Sequence, residues 1–307
     1  MLAYGVYAPA SAGPAVVFDT ETGEVLHAHL ATTRWHPASL TKLMTAYVTF
    51  QAIEAGRIGM DSTGTIGANP KAPAQGLDLA PGTTFTVEEA LPLVLAGSIN
   101  RVAEALGEEV GRSGGASGGG SNDAFLAEMN AIAGRLGMTG TAFVNSYGWH
   151  DPRQVVTARD MALLTRALIR DFPQYQRFFV VQSVMIEGQE RRNHNDLLGH
   201  FAGADGMKTG YVCESGYNLI GTATREGRRL GAIVLGASSE AERVAEAERL
   251  LQAGFATLGG SAMTLDTVPA SADPGPVDMR PYVCGQEKLP AALAGFGTMA
   301  PLPRPKP

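Results

Sequence analysis

Apolar and polar positions along this chain mark out strand-like ends and a helical middle. Residues 15–28, AVVFDTETGEVLHA, hold two short apolar runs around a Thr-Gly turn, which predicts a hairpin. His27 and His29 alternate along its second strand and are expected on the exposed face. From Ser39 the period changes: Leu40, Leu43, Met44, Tyr47 and Val48 recur at helical spacing, with Gly56 as a stop. Thr86-Val87-Glu88-Glu89 has the form of a capping box opening another helix, which Pro92 complicates. Thr157-Ala158-Arg159-Asp160 opens a cleaner one that ends near Pro173. Residues 217–224 and 230–236, YNLIGTAT and LGAIVLG, read as strands joined by a short polar turn, followed by a helix from about Ser239 to Leu258. Strands at both ends with helices between them predict an α+β domain whose sheet joins the two ends of the chain.

The remaining segments set the boundaries. GRSGGASGGGS, residues 111–121, predicts a flexible loop inside a domain spanning 13–256, because helical patterns flank it closely. Residues 257–307 are rich in proline, alanine and glycine, end in PLPRPKP and cannot build a core of their own. At the other end, Ala10-Ser11-Ala12 resembles a signal-peptidase site without the basic start and long apolar run of a full signal, so residues 1–12 are either a signal remnant or a disordered terminus.

Charge and composition narrow the possibilities. A formal net charge of −6 with no basic block argues against a nucleic-acid partner. No apolar run is long enough for a transmembrane helix, and no membrane anchor is evident. Two cysteines, Cys213 and Cys284, are too few and too far apart for a tetrahedral zinc site, and no metal or organic cofactor is implied. They are one disulfide if the chain is exported and two buried thiols if it is not. Lysine occurs at only five positions, Lys42, Lys71, Lys208, Lys288 and Lys306, while the other cations are arginines. An interior lysine is therefore notable, because lysine can lose its proton on burial and arginine cannot.

Three short strings carry candidate chemistry. Ser39-Leu40-Thr41-Lys42 places a hydroxyl and an amine on one helix face about a turn apart, close enough for the amine to take the hydroxyl proton. Such a serine at a helix N-terminus also offers its N–H to a developing oxyanion. Alone the string is also the first turn of an ordinary amphipathic helix, and it arises by chance about once in a chain of this length. Ser98-Ile99-Asn100 adds a hydroxyl and an amide, or is a polar helix end. Lys208-Thr209-Gly210 precedes the strand YNLIGTAT, where the lysine and threonine can receive a carboxylate and the glycine leaves room for a substrate backbone. All three in this order are far less common than any one alone.

With those strings, and with the flanks PASLTKLMTAY, TARDMALL and DGMKTGYVCESGYNLIGTATREGRRLGAIVLGA, the chain resembles the serine D-alanyl-D-alanine carboxypeptidases, or low-molecular-mass penicillin-binding proteins, from about Ala15 to Gly254. The resemblance implies a β-lactamase/DD-peptidase-like α+β fold, an antiparallel sheet with a mainly helical subdomain. It implies Ser39 as nucleophile, Lys42 as general base, and Ser98 and Asn100 on the acid/base and substrate-binding side. Lys208 and Thr209 would hold the terminal carboxylate of a peptidoglycan stem peptide ending in D-Ala-D-Ala, beside Gly210. The N–H groups of Ser39 and Tyr211 would form the oxyanion hole. Arg243 either assists the carboxylate or is a solvated helix charge. β-Lactams would be covalent inhibitors, and an exported, periplasmic or cell-envelope location follows. In that setting Cys213 and Cys284 are expected to form a disulfide that pins the tail to the catalytic domain.

The chain departs from the family pattern at several places. Ile99 and Arg101 replace the small residue and the aspartate usual around the second string, and are expected to alter the cleft rim. His194 stands where many relatives have an arginine, so no substrate-binding role is carried to it. Tyr147-Gly148-Trp149 replaces the usual His-Gly-Leu. Rival readings are an endopeptidase acting on cross-links, a class A β-lactamase, and a silent peptidoglycan-binding protein. A class A lactamase needs a glutamate beyond the second string, and none occurs between Met129 and Ile186.

Overall fold

The computed structural model describes residues 13–114, 120–257 and 260–290. In chain order its strands are β1 (Ala15–Asp19), β2 (Val25–His29), β3 (Thr63–Thr65), β4 (Thr84–Thr86), β5 (Ser183–Ile186), β6 (Gln189–Arg192), β7 (Ala204–Val212), β8 (Gly216–Arg225) and β9 (Arg228–Ala237). Its helices are α1 (Lys42–Glu54), α2 (Val87–Leu95), α3 (Asn100–Ser113), α4 (Gly120–Arg135), α5 (Ala158–Asp171), α6 (Glu240–Ala256) and α7 (Arg280–Val283), with 3-10 turns at Ala38–Thr41 and Pro173–Phe179.

Five strands form one antiparallel sheet in the order β2-β1-β9-β8-β7, so the two ends of the chain meet at the β1–β9 pair, as the strand pattern predicts. Alternation along each strand then separates two cores. Ala15, Val17, Leu219, Leu230, Ala232 and Val234 pack under α6 with Leu250 and Leu251. Val16, Phe18, Ile220, Ile233 and Leu235 face the helical subdomain, where α1 is buried along most of its length. The helix signals read from the sequence are in place. Thr86 and Glu89 form a reciprocal capping box despite Pro92 inside α2, and the side chains of Thr157 and Ser239 cap α5 and α6.

Three local expectations are corrected. His27 is buried rather than exposed. His27 lies opposite Val17, which packs under α6, so the face of β2 expected to be open is covered by the second core. The glycine-rich stretch 111–121 is not all loop: α3 runs on to Ser113 and α4 begins at Gly120, while residues 115–119 lie outside the described residues. Ile99 does not reach the cleft rim; it is buried in the helical core.

Residues 260–290 have no core of their own but are not detached. They run back across the domain: Val25 N–H donates to the Met263 carbonyl, Arg159 Nε to the Leu265 carbonyl at 2.6 Å, and Thr33 Oγ to the Ala272 carbonyl at 2.7 Å. Leu265 and Met279 enter the main core. The segment ends at the expected disulfide, Cys213–Cys284, whose Cα atoms are 5.7 Å apart. An Arg280–Glu214 ion pair lies alongside. Closing a loop with a sequence separation of 71 stabilises by about 4 kcal/mol in the chain-entropy model. Replacing both cysteines by serine is therefore expected to lower unfolding free energy by about 2–4 kcal/mol. It should also expose residues near 280 to protease before the domain unfolds. Unchanged stability in a denaturant titration would show that the tail is held without the bond.

Candidate active site

The three candidate strings come from two helix starts and a strand and meet in one cleft of about 320 Å³, lined by Ser39, Ser98, Thr209, Gly210, Tyr211, Tyr217, Arg243, Gln75, Arg191, His194 and Glu240. Ser39 lies in the 3-10 turn Ala38–Thr41 and Lys42 is the first residue of α1, so a tight turn rather than the α-helix itself sets their spacing. Ser98 sits between α2 and α3, and Asn100 opens α3. Lys208 to Tyr211 lie on the edge strand β7.

Two of these turns use backbone conformations that side chains rarely adopt. Ala38 has φ +48° and Ser98 has φ +59°. For non-glycine residues this costs about 1–2 kcal/mol each, so surrounding contacts must hold them. Beneath the Ser39 turn those contacts come from β8. Asn218, fully buried, donates from Nδ2 to the carbonyls of His36 (3.1 Å) and Pro37 (3.2 Å) and accepts from Gly236 N–H (2.8 Å). On another side, Gly148 (φ +88°) passes so near the turn that a Cβ there would lie 2.0 Å from the Ala38 carbonyl oxygen.

Lys42 is fully buried. Its Nζ lies 2.8 Å from Ser39 Oγ, 2.7 Å from Asn100 Oδ1 and 2.6 Å from the Tyr147 carbonyl oxygen. Burial, and then the charges of Lys208 and Arg191, hold its pKa well below the usual lysine value. A neutral amine has two N–H groups and one lone pair. The two carbonyl oxygens can only accept, so they take both N–H groups, and the lone pair is left to face the Ser39 hydroxyl. The geometry thus fits an amine able to remove the serine proton.

Lys208 is also buried, and donates to Ser98 Oγ (3.1 Å) and to the Thr209 carbonyl (3.0 Å). Burial, reinforced by Arg243 and Arg191, pushes its pKa down to about 7. Thr209 is buried at the cleft wall, while Tyr211 is partly exposed and stacks on Tyr217 with ring centroids 4.3 Å apart. Arg243 is no solvated helix charge: it is 2% exposed, ion-paired with Glu240, and its Nη2 donates to the His194 carbonyl at 2.9 Å. Gly210 is required by proximity. A Cβ there would lie 2.8 Å from the Pro37 carbonyl oxygen, 3.0 Å from Ser39 N and 3.1 Å from Leu40 N. β7 therefore runs directly against the Ser39 turn.

Sequence reasoning missed Asn218, the Tyr147 carbonyl and Arg191. A backbone acceptor leaves no residue-type signal, and a lone asparagine in a strand is indistinguishable from many others. Arg191 lies in the exposed-looking run QERR, where nothing marks one arginine as the one that turns inward.

An antiparallel sheet backed by helices, with a serine, two buried lysines and an asparagine at their junction, defines the penicillin-binding-protein class of fold. Penicillin-binding protein D2 of Listeria monocytogenes, solved in its ampicillin-bound form, superposes with a TM-score of 0.70 at 32% identity over 81% of this chain and 98% of its own. Penicillin-binding protein 5 of Haemophilus influenzae gives a TM-score of 0.73 at 32% identity over 82% of this chain and 73% of its own. D-alanyl-D-alanine carboxypeptidase DacC of Escherichia coli K12 is 36% identical over 248 residues, 78% of this chain and 60% of that protein. The family profile of the D-alanyl-D-alanine carboxypeptidases matches residues 6–239, and the chain belongs to this family. It spans about 60% of the length of the Escherichia coli relative.

The contact of Gly210 with three backbone atoms gives a test of the site's packing. Gly210→Ala has no flexible side-chain neighbour to displace, so β7 and the Ser39 turn must separate. A loss of about 1–3 kcal/mol is expected in chemical denaturation. An unchanged midpoint would mean that the two elements are not in hard contact.

Proposed function

We propose that the protein is a serine-type DD-carboxypeptidase that removes the terminal D-alanine from peptidoglycan stem peptides through an acyl-enzyme on Ser39. The observation that carries this reading is the Lys42 amine, buried among Ser39 Oγ and two carbonyl oxygens with its pKa held low. Ser39 Oγ attacks the carbonyl between the two D-alanines while Lys42 accepts its proton. The oxyanion develops at the N–H groups of Ser39 and Tyr211, and the departing D-alanine amine takes a proton by way of Ser98 and Lys42. Water then cleaves the ester by the reverse proton route. Lys208, Thr209 and Arg243 receive the terminal carboxylate and fix the peptide along β7, and Asn100 orients Lys42. Gly210 leaves the substrate backbone room.

This substrate lies outside the cytoplasmic membrane, so we assign the protein to the periplasm or cell envelope, where a disulfide such as Cys213–Cys284 persists. Among the described residues no helix is long and apolar enough to cross a membrane.

A β-lactam imitates the acyl-D-Ala-D-Ala terminus and should acylate Ser39. Its leaving amine stays tethered, and no glutamate between Met129 and Ile186 is available to activate water from another direction. Fluorescent penicillin is expected to label the protein and persist for minutes, while a D-Ala-D-Ala peptide turns over. Ser39→Ala should abolish labelling and Lys42→Ala should reduce it by about 100-fold or more, the lower end for loss of a general base. Rapid multiple turnover of benzylpenicillin without an adduct would overturn the reading.

The lysines also set a pH dependence. Protonated Lys42 has no lone pair, so the second-order acylation rate should rise with pH through its lowered pKa. Lys208 loses its charge as pH rises through about 7 in the free protein, which weakens carboxylate capture. The expected profile is bell-shaped, with its alkaline limb far below the usual lysine range. An acylation rate that climbs steadily to pH 10 would contradict these assignments.

A further inference from the structure

The loop before α5 closes around the turn that carries Ser39, and two histidines meet where it closes. On one side the Ser146 carbonyl accepts from Thr45 Oγ1 (2.6 Å) and the Tyr147 carbonyl from Lys42 Nζ (2.6 Å). Gly148 passes over Ala38, where a Cβ would lie 2.9 Å from Ser39 N. On the other side Trp35 and Val156 exchange both backbone hydrogen bonds, at 2.7 and 2.9 Å. Between these fixed ends, His36 and His150 stand edge to face with ring centroids 4.7 Å apart.

His36 is 8% exposed, and its Nδ1 lies 3.0 Å from the Gln154 carbonyl oxygen. A carbonyl only accepts, so this nitrogen carries the proton of the neutral ring. His150 has its Nδ1 buried without a hydrogen-bond partner. A proton added there would make an N–H with nothing to accept it, and a proton on each ring would set two charges in edge contact. Either burden is relieved by moving the loop into solvent. The charges around the pair are already engaged. Asp151 on the loop is paired with Arg153 (2.7 Å), Glu214 of the β7–β8 turn is paired with Arg280, and Asp278 of the tail accepts from the Arg280 N–H (2.9 Å). Burial and the charge of His150 hold the His36 ring below its ordinary pKa, against the Gln154 carbonyl, Glu214 and Asp278, which favour its charged form.

We propose that the His36–His150 pair is a proton-sensitive positioning device for the nucleophile: neutral, it holds the loop of residues 145–154 on the Ser39 turn, and protonated, it releases that loop and with it the Tyr147 carbonyl from Lys42. Both histidines act through the loop and not on the reacting atoms. The inference rests on the acyl-enzyme reading and adds to it a loss of acylation as the surroundings acidify, beyond the loss that protonation of Lys42 brings.

The test is the pH profile of the second-order rate at which fluorescent penicillin acylates Ser39, measured from pH 8 to pH 5. Protonation of Lys42 lowers the rate on the acid side in every form of the protein. The pair should add a second proton to that limb. The unaltered chain should therefore fall further than His150→Phe, which keeps a ring against His36 and cannot be charged. At pH 5, relative to pH 7.5, the variant should retain about tenfold more of its rate, the factor for one added proton about one pH unit below its titration. His36→Asn, whose amide can still donate to the Gln154 carbonyl, should behave in the same way. Each rate is compared with that of the same protein at pH 7.5, so a general loss from a disturbed loop cancels. Asn145→Ala provides a further variant. Asn145 Oδ1 accepts from Gly148 N–H (2.6 Å) and its Nδ2 donates to the Trp149 carbonyl (3.0 Å), so its loss loosens the loop without removing a titrating group. It should slow acylation at pH 7.5 and keep the steep acid limb.

Parallel acid limbs in the unaltered chain and both histidine variants would overturn the proposal while leaving the acyl-enzyme reading intact. A limb flattened equally by Asn145→Ala would overturn it too, since loop packing and not ring charge would then set the slope. Absence of labelling at every pH would instead overturn the reading of Ser39 as nucleophile, and this inference with it.

Discussion

The site is organised around a buried amine that has no carboxylate to neutralise it. Lys42 is surrounded by a serine hydroxyl, an amide oxygen and a backbone carbonyl, all of which remain neutral. Burying an unpaired ammonium is costly, and the least costly response is loss of its proton. Lys208, buried nearby with a hydroxyl and a carbonyl as partners, pushes in the same direction. A carboxylate beside either lysine would favour its charged form and raise its pKa again.

Everything that positions this amine comes from elements far apart in the chain. Ser39 precedes α1, Asn100 opens α3, the Tyr147 carbonyl belongs to the loop before α5, and β7 closes over the turn that carries Ser39. Ala38 and Ser98 hold left-handed conformations on opposite sides of that junction. Local sequence does not favour either, so the strain is sustained by packing around it, chiefly the Asn218 hydrogen bonds beneath one turn and the buried Ile99 beside the other. The sheet is thus both the scaffold of the cleft and the clamp on the Ser39 turn.

The outer parts of the molecule extend this rigidity. The segment 260–290 uses the domain's core instead of building one, adding Leu265 and Met279 to it, and the disulfide at Cys213 ties its end two residues beyond Tyr211. The Tyr211 hydroxyl lies 3.1 Å from Cys284 Sγ, so the strand edge that lines the cleft is braced from outside. On the far wall, Glu104 and Arg191 hold the β3–β4 loop from two directions.

Local rules carried much of this into the sequence. Period-two and period-3.6 patterns located β1, β2, β8, β9, α1, α5 and α6, and the opening patterns at Thr86 and Thr157 marked two helix starts, because each depends on contacts within a few residues. The strings around Ser39, Ser98 and Lys208 were legible for the same reason: each is a short segment whose residue types suit one chemistry. The sequence could not show that they converge, that Arg243 is buried, that Ile99 points inward, or that a core on the second face of the sheet buries His27. Nor could it single out Arg191 from its neighbours in QERR. Those properties depend on which distant segments pack together, and one residue's burial or pKa is set by neighbours that share no local pattern with it. Residue types and spacing determined which groups were available for chemistry. Only the packing of the sheet against the helices decided which of them meet.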